Sequence, residues 1–208
     1  PIIPKEMLSN LGGVPMIDRA LDALITAGVT HVVVNTHYLA EVLEAHLKKR
    51  SKPVITLSHE PILLDTGGGV KKMLPALGDK PFYVLAGDSV SGNALLRLAK
   101  NWNPDTMDIL TLMQPLENMV LTHGVGDYDV LPDGRCVRSK NKSGKYMWTN
   151  IRLNTPELYR DAPDGSFSFL SLLDRAESQG RLRALIHDGD WHHISTPADL
   201  ERVNASIT

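Results

Sequence analysis

The sequence predicts an α/β fold, a three-layer sandwich whose central sheet is mixed but mostly parallel and is covered by helices on both faces. Three observations predict it. In the first half, short β-branched or apolar runs alternate with stretches of helical spacing, the order of a largely parallel sheet. In the second half, alternating segments cluster around turn residues, which adds antiparallel strands. The 208 residues, 42% apolar and 22% charged, suffice for one sizeable core, so a single domain over residues 1–208 is expected.

Each element has its own justification. "PMIDRALDALITAGV", residues 15–29, places Ile17, Leu21, Leu24 and Ile25 on one helical face, with Pro15 at the start and Gly28 at the stop. "HVVVNT" is a β-branched run, the signature of a strand buried on both faces. "LAEVLEAHLKKR" returns to helical spacing and ends in basic residues that suit the negative end of a helix dipole. "PVITLSHE" is a strand, "GGVKKMLPAL" a short helix, "PFYVLAGD" a strand, "NALLRLAKNW" a helix and "MDILTLM" a strand. "YDVLPDGRCVRS" reads as a hairpin about Pro132-Asp133-Gly134. "KYMWTNIRLN" is a strand, "PELY" a short helix, and "SFLSLLDRAESQG" a longer helix closed by Gly180. "LRALIHDGDWHHIST" reads as strand, turn and strand, and "PADLERVNASI" as a helix begun by Pro197. The lysine-rich "SKNKSGK" reads as a mobile, solvated loop.

Composition excludes several function classes. A net charge of -2 argues against a nucleic-acid partner, which calls for a basic excess. No apolar run approaches the roughly 18 residues of a membrane-spanning helix. The lone Cys136 has no intrachain disulfide partner, so a reducing cytoplasm is the expected compartment and the thiol is expected to be inert. No assembly device is visible, and a monomer or weak dimer is expected.

Two features in "LLDTGGGVKKMLPALGDKPFYVLAGDSV", residues 63–90, carry chemistry. Thr66-Gly67-Gly68-Gly69 lacks three Cβ atoms, so a ligand can approach the main chain there, beside the exposed N–H groups of a helix start. A plain turn has the same composition. Asp88 follows an apolar run, at the strand end where open α/β sheets bind ligands, and its hard oxygens suit Mg²⁺. Capping of the next helix is the competing role. Lys5 is either a surface lysine or a charge that neutralises phosphate. His192 and His193 are adjacent, so on a strand they point to opposite faces and cannot share one ion. H-E-x-x-H, CxxC, G-x-S-x-G and Walker patterns are all absent, which excludes the corresponding zinc, serine-nucleophile and ATPase chemistries.

Taken in order, "PKEML", "GGVPMIDRALDALITAGVTHVVVNTHYLAE", "LLDTGGGVKKMLPAL", "FYVLAGDSV", "GVGDYDVLPDGR" and "DWHHISTPADLERV" resemble the sugar-1-phosphate nucleotidyltransferases. The likeness is strongest to their short, single-domain branch of N-acetylmuramate-1-phosphate uridylyltransferase and mannose-1-phosphate guanylyltransferase type. It implies the Rossmann-like nucleotide-diphospho-sugar transferase fold. It also implies that a sugar 1-phosphate attacks the α-phosphorus of a nucleoside triphosphate and releases pyrophosphate. By that resemblance Thr66, Gly67 and Gly68 contact base and ribose, Asp88 ligates Mg²⁺ (Mn²⁺ as a substitute), and Lys5 contacts the phosphates. Gly126 and Asp127 lie beside the sugar, and Thr149 and Asn150 fall on the strand that faces it.

Three departures qualify the likeness. The relatives carry a first strand and an A-A-G-x-G-x-R loop ahead of the Pro-Lys motif, so roughly two dozen further residues are expected before Pro1. His193 stands where the relatives have a second metal-binding aspartate, and Ser195 where they have glycine. An imidazole suits Mn²⁺ or Zn²⁺ better than Mg²⁺. The sugar-contacting glutamate has no counterpart in "RCVRSKNKSGKY", where Arg138 or Lys140 favours an acidic sugar or a phosphate. Compact single-domain size favours UTP. GTP with mannose 1-phosphate is the alternative, and a nucleotide- or sugar-phosphate-binding protein of the same fold also fits the departures.

Overall fold

The computed structural model describes residues 10–86, 93–189 and 191–207. A short antiparallel hairpin of β1 (Asn10–Leu11) and β2 (Val14–Pro15) leads into α1 (Met16–Thr26). Next come β3 (His31–Thr36), α2 (Ala40–Leu47) and β4 (Val54–His59). β3 and β4 pair in parallel, from His31 opposite Val54 to Thr36 opposite His59. Ile17 and Leu21 of α1, with Leu43 and Leu47 of α2, pack on Val32, Val34, Ile55 and Leu57. β3 is half-buried rather than buried on both faces, with His31 and Asn35 exposed. The apolar helices cover one side of it, and Asn35 on the other side hydrogen-bonds the Glu60 carboxylate at 3.3 Å.

The remaining elements are α3 (Asp65–Leu77), β5 (Phe82–Val84), α4 (Ala94–Asn101), β6 (Ile109–Pro115), β7 (Tyr128–Val130), β8 (Cys136–Arg138), β9 (Tyr146–Asn154), α5 (Leu170–Ser178), β10 (Leu182–Ile186) and α6 (Pro197–Ile207). They build a six-stranded sheet in the order β10-β6-β9-β7-β8, with β5 also against β9. β10 and β6 are parallel, and β9 runs antiparallel to both β6 and β5. Thus β5, β6, β7 and β10 share one direction while β9 and β8 oppose them, which makes the sheet mixed. β6 is buried at every position because helices cover both faces. Val70 of α3 and Leu172, Leu173 and Ala176 of α5 meet Phe82, Ile109 and Met113 on one face. Leu24 of α1 and Leu95 and Leu98 of α4 meet Leu110, Leu112 and Leu153 on the other. No helix among the described residues is long and apolar enough to cross a membrane.

The β6–β9 ladder slips at one point. Thr111 pairs with Arg152 and Met113 with Trp148, so residues 149–151 face Leu112 alone. Asn150 takes φ 63°, a conformation that asparagine tolerates better than most residues. The Thr149 hydroxyl repairs the gap: it donates to the Leu112 carbonyl (2.8 Å) and accepts from the Ile151 N–H (3.2 Å).

Residues 191–195, expected as a strand, form no ladder. Their amides are taken by side chains instead. His193 N–H donates to Thr122 Oγ1 (3.1 Å) and Ser195 N–H to Asp199 Oδ2 (3.1 Å). The same Asp199 oxygen accepts from the Ser195 hydroxyl (3.0 Å), the Thr196 N–H (2.8 Å) and the Thr196 hydroxyl (2.8 Å). Asp199 N–H returns a bond to Thr196 Oγ1 (3.2 Å), which completes a capping box at the start of α6. Hydrogen bonds from Thr196 hold the Asp199 carboxyl down at about 2, against the opposing effect of burial. A depressed carboxyl stabilises the fold above its unfolded value and loses that contribution as pH falls through the folded one. Asp199→Ala is therefore expected to cost about 1–2 kcal/mol at neutral pH. The gap from wild type should close between about pH 4 and pH 2. Urea unfolding of both proteins across that range measures it, and a pH-independent gap would contradict the assignment.

Candidate active site

The site is built where the start of α3 meets the segment leading into α5. The Glu60 carboxylate, buried, accepts the Leu64 N–H (3.0 Å) and Asn35 Nδ2 (3.3 Å), which fixes the turn ahead of the helix. Asp65 opens α3 at φ 60° and accepts its neighbour's N–H from Thr66 (2.5 Å). The glycine triplet lies within the first turn of α3 rather than ahead of it. Gly67 and Gly68 N–H both donate to the Phe167 carbonyl, at 2.9 and 3.1 Å, which satisfies two of the free donors at the helix start. Thr66 Oγ1 accepts the Phe169 N–H (3.0 Å). The close approach that glycine permits is thus to the chain itself. A Cβ on Gly67 would meet the Phe167 ring at 2.3 Å, and one on Gly68 the Gly165 carbonyl oxygen at 2.1 Å.

The facing wall comes from β7, β8 and the first half of β9. Gly126 bridges to Ser143 and packs against Gly144. Asp127 N–H donates to the Tyr146 carbonyl (2.8 Å). Its carboxylate accepts the Trp148 N–H (3.0 Å) and pairs with the Lys142 ammonium. Trp148 Nε1 donates to Thr111 Oγ1 (3.0 Å). Arg138 grips both carboxylate oxygens of Asp174 at 2.6 Å, a pairing that raises its pKa. Behind them, burial pushes the Tyr128 phenol well above its ordinary range and the Cys136 thiol up to about 12, so Cys136 is inert as expected.

Between these walls is a cavity of about 300 Å³, of a size for a small ligand. Asp65, Thr66, Ser168 and Leu170 line one side, Asp127, Tyr128, Arg138 and Lys142 the other, with Trp148 joining them. Of the residues singled out in the sequence, Thr66 and Asp127 line it together. Gly67 and Gly68 are buried behind Thr66, and Gly126 supports Asp127. Thr149 is buried with its hydroxyl spent on the β6–β9 slip, and Asn150 is tied to Arg152. Lys5 and Asp88 lie outside the described residues. His193 is half-buried with its ring stacked on Trp191 (6.0 Å, 22°). No three His, Cys, Asp or Glu side chains among the described residues converge as a metal site. Lys142, from the segment read as solvated, reaches the cavity, and so does Arg138. Asp65, Trp148, Ser168 and Leu170 are additions to the sequence reading; only Trp148, next to Thr149 in "KYMWTN", and Asp65, next to Thr66, carried a positional hint.

Comparison with known proteins bears on this arrangement. The Nucleotidyl transferase family profile matches residues 2–129. The chain is 34% identical over 205 residues to an N-acetylmuramate alpha-1-phosphate uridylyltransferase of Caulobacter vibrioides, spanning 93% of this chain and 84% of that one. It is 25% identical to mannose-1-phosphate guanyltransferase beta-B of Xenopus laevis, over 95% of this chain but 57% of the relative. Among solved structures, HddC from Yersinia pseudotuberculosis complexed with GMP-PN superposes with a TM-score of 0.84 at 19% identity, covering 100% of this chain and 92% of that one, a likeness of fold. With the mixed sheet covered on both faces and the cavity between Thr66 and Asp127, these matches place the chain in the nucleotidyl transferase family, among the sugar-1-phosphate nucleotidyltransferases.

Proposed function

We propose that this chain condenses UTP with N-acetylmuramate 1-phosphate, giving the nucleotide sugar and pyrophosphate. The observation that carries the reading is the single cavity lined by both Thr66, from the nucleotide-side motif, and Asp127, from the sugar-side motif. The preference for a uridylyl over a guanylyl enzyme is supported by identity, 34% to the uridylyltransferase against 25% to the guanyltransferase. An acidic sugar is supported by the two cations at the cavity wall. Arg138 and Lys142 are each paired to a carboxylate, and either can exchange that partner for a carboxylate on the ligand.

The reaction needs no protein nucleophile. An oxygen of the sugar phosphate forms a bond to the α-phosphorus as the bond to pyrophosphate breaks, and the protein aligns the partners and balances phosphate charge. In this reading Thr66, with Gly67 and Gly68 behind it, receives base and ribose. Gly126 and Asp127 form the sugar side, Thr149 and Asn150 hold β9 behind it, and Lys5 meets the phosphates. A divalent cation would supply Lewis-acid stabilisation of phosphate charge, and Mg²⁺ suits a carboxylate ligand. Asp88 would hold it, with His193 as the second protein ligand, a pairing that also admits Mn²⁺. The described residues alone supply no complete donor set, so no step is assigned to the ion. The setting is a cytoplasmic monomer or weak dimer.

Pyrophosphate release from UTP, GTP, CTP and dTTP, each with a panel of sugar 1-phosphates and Mg²⁺ or Mn²⁺, tests the proposal. UTP with N-acetylmuramate 1-phosphate should be fastest. Faster release with GTP and mannose 1-phosphate would move the chain to the other branch, and release with no pair would leave a binding protein of this fold.

A further inference from the structure

Arg152 is a charged side chain in the middle of the sheet. It is 1% exposed and lies on β9 opposite Val84 of β5 and Thr111 of β6. Among the described residues no carboxylate is in ion-pair contact with it. Burial accordingly lowers its pKa. An apolar side chain of similar volume is normally at least as stable at such a position, so the charge calls for a reason.

Its contacts supply one. Nε donates to Asn154 Oδ1 (3.1 Å). Nη1 donates to the Asn150 side-chain oxygen and to the Asn150 carbonyl (3.4 Å), the residue that sits at φ 63° in the β6–β9 slip. The guanidinium carbon lies 3.7 Å from the centre of the Phe169 ring and 5.7 Å from that of Trp148, and the two rings stack at 6.2 Å and 16°. Such cation–π contacts strengthen when desolvated. Trp148 lines the cavity and hands its N–H to Asp127, whereas Phe169 hands its N–H to Thr66 and is flanked by Ser168 and Leu170 of the opposite wall. One guanidinium therefore touches both walls from behind.

Building on the reading of the cavity as the substrate site, we propose that Arg152 is a positioning residue for the sugar side: it holds Asn150 in its left-handed conformation and clamps Trp148 to Phe169, which sets the spacing between Asp127 and Thr66. It does not touch substrate. Without the Nη1 link, Asn150 relaxes toward the extended conformations that other residues prefer, and Trp148 moves with it.

Arg152→Met keeps length and removes the fork. It is expected to raise KM for the sugar 1-phosphate about tenfold or more while KM for the nucleoside triphosphate stays within about twofold. Arg152→Lys keeps charge without the planar fork and should recover only part of the loss. In an Asn150→Gly background, where positive φ is free, the further effect of Arg152→Met should shrink to below about threefold. A fall in melting temperature with both KM values unchanged, or an equal rise in both, would reduce Arg152 to a structural residue and overturn the proposal. A crystal structure of Arg152→Met decides the same point without activity: Asn150 is expected to leave positive φ with a shifted Trp148 ring, and retention of both would overturn it. If the Met variant does not fold, the Lys variant, alone and in the Asn150→Gly background, carries both measurements. Wild-type protein that releases no pyrophosphate would refute the catalytic reading alone, since the structure of the variant still answers for Asn150.

Discussion

Asp88→Asn is expected to lower turnover by about 10²–10³-fold or more while leaving the melting temperature unchanged. The exchange is almost isosteric and removes one negative charge. β5, which ends at Val84, runs in the same direction as β6 and β10, and residue 88 comes shortly after it in the sequence; open α/β sheets bind their ligands beyond the carboxyl ends of such strands. A carboxylate there matters for the charge it sets against a cation and phosphates, so the amide should preserve packing and lose chemistry. The measurement is kcat for pyrophosphate release beside a thermal melt. Near-normal release would remove Asp88 from the mechanism, and a large fall in melting temperature would make its role structural.

Gly126→Ala should damage fold and site together. A Cβ at Gly126 would lie 1.9 Å from the Gly144 carbonyl oxygen and 2.5 Å from the Gly144 nitrogen. Both are backbone atoms that cannot rotate away, and Gly144 N–H donates to the Gly126 carbonyl (3.0 Å) across the same contact. Separating the strands there pulls on the bonds from Asp127 to Tyr146 and from Trp148 to Asp127. Overpacking of this kind costs about 3 kcal/mol. In a chain of this size that is a fall of about 6–12 °C in melting temperature. The sugar-phosphate KM should rise in parallel, about tenfold, because Asp127 shifts. Differential scanning calorimetry and steady-state kinetics check the two effects. An unchanged melt would mean that the two segments separate freely.

What the sequence revealed and what it hid divide by the distance over which each feature is determined. Helices and strands were legible because Ile17, Leu21 and Leu24, or the mostly apolar stretch of β6, express burial through local spacing. Thr66 and Asp127 were named through the family resemblance of the motifs that hold them, and both line the cavity described above. The partner of the glycine turn was not legible. Phe167, which caps Gly67 and Gly68, belongs to a segment with no distinctive composition, far along the chain. Lys142 read as solvated because its partner, Asp127, meets it only once β7 and β9 have paired. Arg152 and Asn150 sit in a strand whose alternation conceals a slip against Leu112. The unpaired stretch 191–195 failed as a strand because Thr122 and Asp199 supply its amides with side-chain oxygens, which period-2 patterning cannot foretell.

The reversed strand β9 also bears on how the polypeptide acquires its shape. β5 and β6 are consecutive strands in the chain, yet β9 lies between them in the sheet. During synthesis both must wait with open edges until residue 154 has left the ribosome, and only then can the middle of the sheet zip shut. Non-local closure of this sort is slow and leaves apolar edges exposed meanwhile. The strand that shapes the candidate pocket thus also sets a late long-range step of folding, before β10 adds to the far edge of β6, and the nascent first half depends on prompt arrival of the second.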